Sequence, residues 1–161
     1  MNVISSWSGG KDSCFALMKA LGSGHKLKWL LNMMNENGKI SRSHGIPIDL
    51  LNQQAERLNT AITTVPATWE KYEEYYIQAL KEINTNTDVE AVVFGDIDLE
   101  SHKEWEEKVC VSASLKALLP ICQGNRRDLV CQMIDAGIKA VITSCNTTLG
   151  FDFLGKEITR E

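Results

Sequence analysis

Six consecutive residues, Ser8, Gly9, Gly10, Lys11, Asp12 and Ser13, constrain what this chain can fold into more than any other stretch. A hydrophobic run over residues 3–7 enters them and an apolar-periodic run over 14–21 leaves them. Strand, glycine-rich turn, helix is the order that an anion site needs. Two adjacent glycines let the backbone approach an oxyanion with no Cβ in the way. The free N–H groups of the helix start point at that anion, and the helix dipole favours its charge. Lys11 adds a positive charge, and Ser8 and Ser13 add hydroxyl donors. Asp12 repels a bare anion, so its role is either to cap the helix or to hold a Mg²⁺ that contacts phosphate oxygens.

The rest of the chain alternates strand-like and helix-like runs. Apolar runs at 2–7, 28–34, 61–65, 90–94 and 139–143 read as strands, and 116–119 as a shorter one. Amphipathic runs at 12–21, 48–58, 69–83, 100–113 and 126–136 read as helices, with 84–88 a loop. Pro47 suits the first turn of its helix and Gly137 the C′ position of the last. Strict alternation argues an α/β fold with a mostly parallel sheet. At 161 residues the chain is read as a single domain, 1–161, with a real core.

In an open α/β sheet, ligands bind at the carboxyl ends of the strands. That rule selects residues 8–13, 33–44, 65–68 and 95–102. Asp96 follows Gly95 directly after an apolar strand, where a carboxylate binds Mg²⁺ or orients a nucleophile. The bland alternative is a turn cap. His102 opens the next helix and either contacts phosphate, shuttles a proton or sits exposed. Arg42, Ser43 and His44 form a polar loop before Pro47 that could close over a purine or a phosphate, with Arg42 the natural charge. Trp105 reads as packing rather than a stacking platform. Glu104, Glu106 and Glu107 read as a solvated helix face.

Charge and cysteine content narrow the classes. A net charge of -4 argues against broad nucleic-acid binding. No apolar run reaches membrane-spanning length and no signal pattern opens the chain, so the expectation is a cytoplasmic protein. Cys14, Cys110, Cys122, Cys131 and Cys145 are scattered, with no CxxC pair, and read mostly as small buried hydrophobes.

The opening motif does not have Walker A spacing. It does match S-G-G-K-D-S, the PP-loop signature of the N-type ATP pyrophosphatases, and the chain resembles that superfamily. Four segments, SWSGGKDSC, RSHGIP, VVFGDIDLESHKEWEEKVC and LGFDFLGKEI, are similar to the diphthine–ammonia ligase family, in the family's order and over almost the whole chain. Gly95, Asp96 and Ile97, followed by His102, Trp105 and Cys110, are the most specific part beyond the loop. The resemblance implies an adenine-nucleotide α-hydrolase-like three-layer sandwich with a five-stranded sheet. It implies ATP and Mg²⁺, and an activity that joins ammonium to the carboxylate of diphthine on a translation elongation factor. ATP would become AMP and pyrophosphate through an acyl-adenylate. Lys11, Asp96 and His102 would then be catalytic. Ser8, Gly9, Gly10, Lys11, Asp12, Ser13, Arg42, His44 and Gly95 would hold the nucleotide, and Asp12 and Asp96 the metal. Two alternatives are a nucleotide-binding or sensing module without the reaction, and another PP-loop reaction such as tRNA modification.

The sequence departs from the family in two places. Leu119, Pro120, Ile121 and Cys122 stand where relatives commonly have Pro-Leu-Trp. After the segment ending Lys156, Glu157 and Ile158, the family continues into an acidic, Gly-containing stretch, whereas the sequence given ends at Glu161. The expectation is that ATP binding survives and ligation is slow unless a second subunit, as in a homodimer, supplies a missing wall.

Overall fold

The structure is a computed structural model that describes residues 1–98, 100–148 and 150–160. Five strands and five helices alternate: β1 (Asn2–Ser6), α1 (Lys11–Gly22), β2 (Lys26–Met34), α2 (Ile48–Arg57), β3 (Ala61–Pro66), α3 (Tyr72–Asn86), β4 (Ala91–Val93), α4 (Glu100–Ser112), β5 (Lys116–Leu118) and α5 (Arg126–Asp135). The strands form one sheet in the order β3-β2-β1-β4-β5, every neighbouring pair parallel. This is the expected α/β class.

Side-chain alternation along the strands builds the three layers. Ile4, Leu31, Met33, Val92 and Phe94 face α3 and α4, where they meet Tyr76, Leu80, Ile83, Val109 and Cys110. Val3, Ala91 and Val93 face the other way, against Phe15, Ala16 and Ala20 of α1 and Leu129 and Met133 of α5. Leu30 and Met34 continue that second face beneath Leu17 of α1 and Leu51 and Ala55 of α2. Both faces of the sheet are covered, as an all-parallel sheet requires.

Three expectations need correction. The run 139–143 is not a sheet strand: Val141 makes only an isolated antiparallel bridge to Glu157, and β5 is the shorter run at 116–118. The loop expected over 84–88 is in part helix, because α3 continues to Asn86. There Thr85, Asn86 and Thr87 bond back to the carbonyls of Lys81, Glu82 and Ile83 and satisfy the last turn. Of the five cysteines only Cys110 is buried; the others are half-buried. The end of α5 is as expected, with Gly137 at φ +84° and Ile138 N–H donating to the Met133 carbonyl at 3.0 Å.

The strand order reverses between β1 and β4. The chain winds outward from β1 through β2 to β3, then returns to β4 on the other side. The crevice at the carboxyl ends of β1 and β4 is therefore the place where loops part and a ligand fits. No described helix is long and apolar enough to cross a membrane.

Candidate active site at the β1–β4 switch point

Residues 8–13 leave β1 at that crevice. Gly9 turns the chain at φ +80°, a conformation that suits glycine. Gly10 is the N-cap of α1, and no side chain caps it. A Cβ on Gly10 would lie 2.4 Å from His44 Nε2, so a larger residue there would have to displace the imidazole from the turn. The two serines tie the turn together. Ser13 Oγ donates to the Gly10 carbonyl at 3.0 Å, and Ser8 Oγ lies 3.0 Å from Ser13 Oγ and 3.3 Å from the Gly10 N–H that donates to it. His44 Nε2 reaches Ser8 Oγ at 3.3 Å. Burial lowers the His44 pKa, opposed by the nearby Asp12 carboxylate. The Lys11 ammonium donates to both Asp12 carboxylate oxygens, at 3.0 and 2.9 Å.

Two residues that the sequence reading missed clamp this turn from below. Gln54 on α2 accepts from the Trp7 indole N–H at 2.8 Å and donates to the Gly9 carbonyl at 3.3 Å. Asn32 on β2 donates to the Trp7 carbonyl at 2.6 Å. An amide is suited to this because one side chain carries both a donor and an acceptor. Asn32 had a visible signal, being the one polar residue inside the apolar run 29–34. Gln54 had none.

Across the crevice, β4 ends at Val93 and the chain passes through Gly95. A Cβ there would lie 2.7 Å from the Ser13 backbone nitrogen, so glycine lets the end of β4 touch the first turn of α1. Asp96 follows at once, and its Oδ1 accepts from His102 Nδ1–H at 2.6 Å. Two residues on, Asp98 holds Arg126 through two contacts of 2.5 and 2.7 Å. That pairing holds the Asp98 carboxyl below its usual range.

Glu106 overturns its reading as a solvated residue. It is buried beside Val109 and Cys110 on the inner face of α4, while Glu104 and Glu107 are exposed. Burial first, and then the neighbouring Asp96 carboxylate, raise its pKa from the ordinary 4.5 to about 9. Its spacing to Val109, Cys110 and Ala113, three, four and seven positions on, was the signal that this carboxylate faces inward.

Arg42 and His44 part company. His44 sits over the turn, but the Arg42 guanidinium donates to the Ala67 carbonyl and lies 4.5 Å over the Trp69 ring. Trp69 begins a column of aromatic rings running inward through Tyr72 to Tyr76 and Trp105. Trp105 packs into the core cluster as expected. The structure thus gathers Ser8, Gly9, Gly10, Lys11, Asp12, Ser13, His44 and Gly95 into one turn. It joins Asp96 to His102 beside that turn and sets Arg42 apart at the end of β3.

The sequence model of the family described as "Diphthamide synthase N-terminal domain" matches residues 1–117, which include all of these site residues. The chain belongs to this family. Its relatives include a protein named "Diphthine--ammonia ligase" in Mus musculus, 25% identical over 182 residues that cover 98% of this chain and 67% of the relative. The protein of that name in Homo sapiens is also 25% identical, with the same coverage. In Schizosaccharomyces pombe the match is 25% over 88% of this chain but only 26% of the relative. Among solved structures, a predicted subunit of tRNA methyltransferase from Methanocaldococcus jannaschii superposes with a TM-score of 0.54 at 14% identity, covering 83% of this chain and 76% of that one. That likeness concerns the fold alone. The diphthamide synthase family match stops within β5, so α5 and the residues beyond it lie outside it.

Proposed function

We propose that the chain binds ATP with Mg²⁺ at residues 8–13 and forms an amide from a carboxylate and ammonium through an acyl-adenylate. The observation that carries this reading is the uncapped start of α1, with Lys11 and two serine hydroxyls, lying against Gly95 and the Asp96–His102 pair. A phosphate chain finds backbone N–H groups and a helix dipole there, and the glycines leave the space that a side chain would fill. Asp12 and Asp96 are the carboxylates that would hold Mg²⁺, which takes one or two carboxylates together with phosphate oxygens and neutralises their charge.

The chemistry runs in two balanced steps. The acceptor carboxylate attacks the α-phosphorus of ATP and the bond to the β-phosphate oxygen breaks. Pyrophosphate leaves, held by the Lys11 ammonium and the first-turn amides. Ammonium then gives up a proton, and the lone pair of ammonia attacks the acyl carbon. The carbonyl–oxygen bond to AMP breaks, AMP departs with the electron pair, and the new amide nitrogen sheds a second proton. Asp96 accepting from Nδ1–H of His102 leaves the lone pair on Nε2, which makes His102 the base for one of these protons. Diphthine on an elongation factor is the acceptor we favour, on the strength of the relatives' names.

Incubation with ATP and Mg²⁺, with and without ammonium and the diphthine-bearing factor, tests the reading. AMP and pyrophosphate are expected. ADP as the product overturns it, and tight ATP binding with no AMP reduces the chain to a nucleotide-binding module.

A further inference from the structure

The chemistry above leaves one cation unused. Arg42 donates its backbone N–H to the Met33 carbonyl in β2 at 3.0 Å, and its guanidinium donates to the Ala67 carbonyl just past β3. The same guanidinium lies 4.5 Å over the Trp69 ring. It is half-buried, its Nε has no hydrogen-bond partner, and no ion pair among the described residues includes it. The neighbouring lysines are matched: Lys71 pairs with Glu74 at 2.7 Å and Lys108 with Glu73 at 2.7 Å. A half-buried charge without a counter-ion is completed by an anionic partner. A guanidinium already pinned by a ring and a carbonyl gives up little further freedom when that partner arrives.

Beside this cation, Trp69 is 72% exposed, the one exposed tryptophan of the four. Its ring stacks on Tyr72 at 5.6 Å, which fixes its place. Apolar surface held open to water is stabilised when something covers it. Trp, Tyr and Arg side by side are the residue types that carry most of the binding energy in protein interfaces.

Position selects the partner. The patch stands at the carboxyl edge of the sheet, where β2 and β3 end. His44, two residues after Arg42, reaches Ser8 of the turn at 8–13. Tyr72 lies within the influence of both places: burial raises its pKa, the Arg42 charge opposes that rise, and the Asp96 charge adds to it. Yet β3 lies two strands from β1, about 10 Å at the usual strand spacing. A carboxylate held by Arg42 is therefore not the one that attacks the nucleotide at the turn. It belongs to the body of the molecule that carries the reacting group, so that molecule is a protein. RNA fits poorly, because it presents phosphates in series to a single unmatched cation, and Glu70 next to Trp69 is exposed as well.

We infer that Arg42 and Trp69 form the docking point for the acceptor protein of the reaction proposed above, Arg42 pairing with an acidic side chain near the modified residue and Trp69 covering an apolar neighbour. The inference rests on that reading for the identity of the partner. One loop then serves two ends of the site, with His44 at the turn and Arg42 toward the partner.

The test measures binding of the diphthine-bearing factor to the full chain, and of ATP to the same samples by calorimetry. Trp69→Ala and Arg42→Gln should each weaken factor binding tenfold or more, while Trp69→Ala moves ATP affinity less than twofold. Wild-type affinity for the factor should fall as salt is raised, and Arg42→Gln should flatten that fall, because the ion pair it removes is the one that salt screens. Trp69 is exposed, so Trp69→Ala keeps its fold and carries the test even if Arg42→Gln does not. Factor affinity unchanged in Trp69→Ala overturns the docking point. So does a tenfold loss of ATP affinity in Arg42→Gln, which would give the guanidinium to the nucleotide, and so does RNA binding by the wild type that both variants lose. If the wild type makes no AMP and pyrophosphate yet holds the factor through this face, the functional reading falls and the docking point stands.

Discussion

Lys11 is the residue whose loss should be felt first by the nucleotide. Its ammonium is held by Asp12 at the mouth of the turn, within the reach of a single side chain from the first-turn amides. A charge-assisted contact to phosphate is worth roughly 1.5–3 kcal/mol, about one to two decades in affinity. Lys11→Ala should weaken ATP binding by that factor in a calorimetric titration, and unchanged binding would put the anion site elsewhere. Asp96 should behave differently, because it is bonded to His102 and, in the reaction proposed above, would stand beside the reacting centre. Asp96→Asn is expected to lower kcat for AMP formation more than it raises the KM for ATP, the pattern of an interaction made mainly in the transition state. Glu106 carries a pH signature of its own. In the fold it stays protonated up to about 9, whereas in the unfolded chain it ionises near 4.5. The native state therefore holds one more proton between those values, and stability falls as pH rises through that window. In metal-free buffer, Glu106→Gln should flatten the decline of the melting midpoint between pH 5 and 9. A variant that tracks the wild type across that range would show that the carboxyl ionises freely in the fold.

Elements were legible where the signal is local. The turn at 8–13 carries its own strand, glycines and helix start, and α5 carries its Gly137 stop just past its last turn. What could not be read depends on partners far along the chain. The run 139–143 has a strand's composition, but the sheet edge it would need is completed by residues 116–118, and a strand exists only where a neighbour pairs with it. Glu106 was misread for the opposite reason: three glutamates close together look like a wet face until the helix phase with Val109 and Cys110 is counted. Gln54 is invisible in sequence because its value lies in matching a Trp7 donor and a Gly9 acceptor brought together only by the fold. At this scale Gly95 is the hinge between two elements. Gly95→Ala places a methyl 2.7 Å from the Ser13 nitrogen, and backbone cannot give way as a side-chain tip can. A loss of about 1–3 kcal/mol is expected from such overpacking, measured by urea unfolding. ATP affinity should fall with it, because the first turn of α1 must shift; a variant of wild-type stability would mean the contact is loose.

Taken whole, the molecule concentrates its buried residues before residue 134. Met133 is the last buried hydrophobic among the described residues, and among those of 140–160 none is buried, with Phe151 82% exposed. A chain ending at Lys139 should therefore unfold in urea with nearly the wild-type slope, because that slope follows the surface exposed on unfolding. A marked drop in slope would mean that the closing segment belongs to the cooperative unit. The sheet order has a different consequence, in time rather than in energy. In this sheet the first strand in chain order, β1, is the central one, and half of its pairing waits for a strand some ninety residues later: Val3 pairs with Ala91. During synthesis the half formed by β1, β2 and β3 can close by itself, yet one edge of β1 stays bare until β4 has emerged. At about 5–20 residues per second that interval lasts a few seconds, with an apolar strand edge of the kind that recruits other chains. The residues that build the turn at 8–13 are thus translated well before the strand that encloses them, and newly made chains are most exposed to misassociation at the strand that leads into that turn.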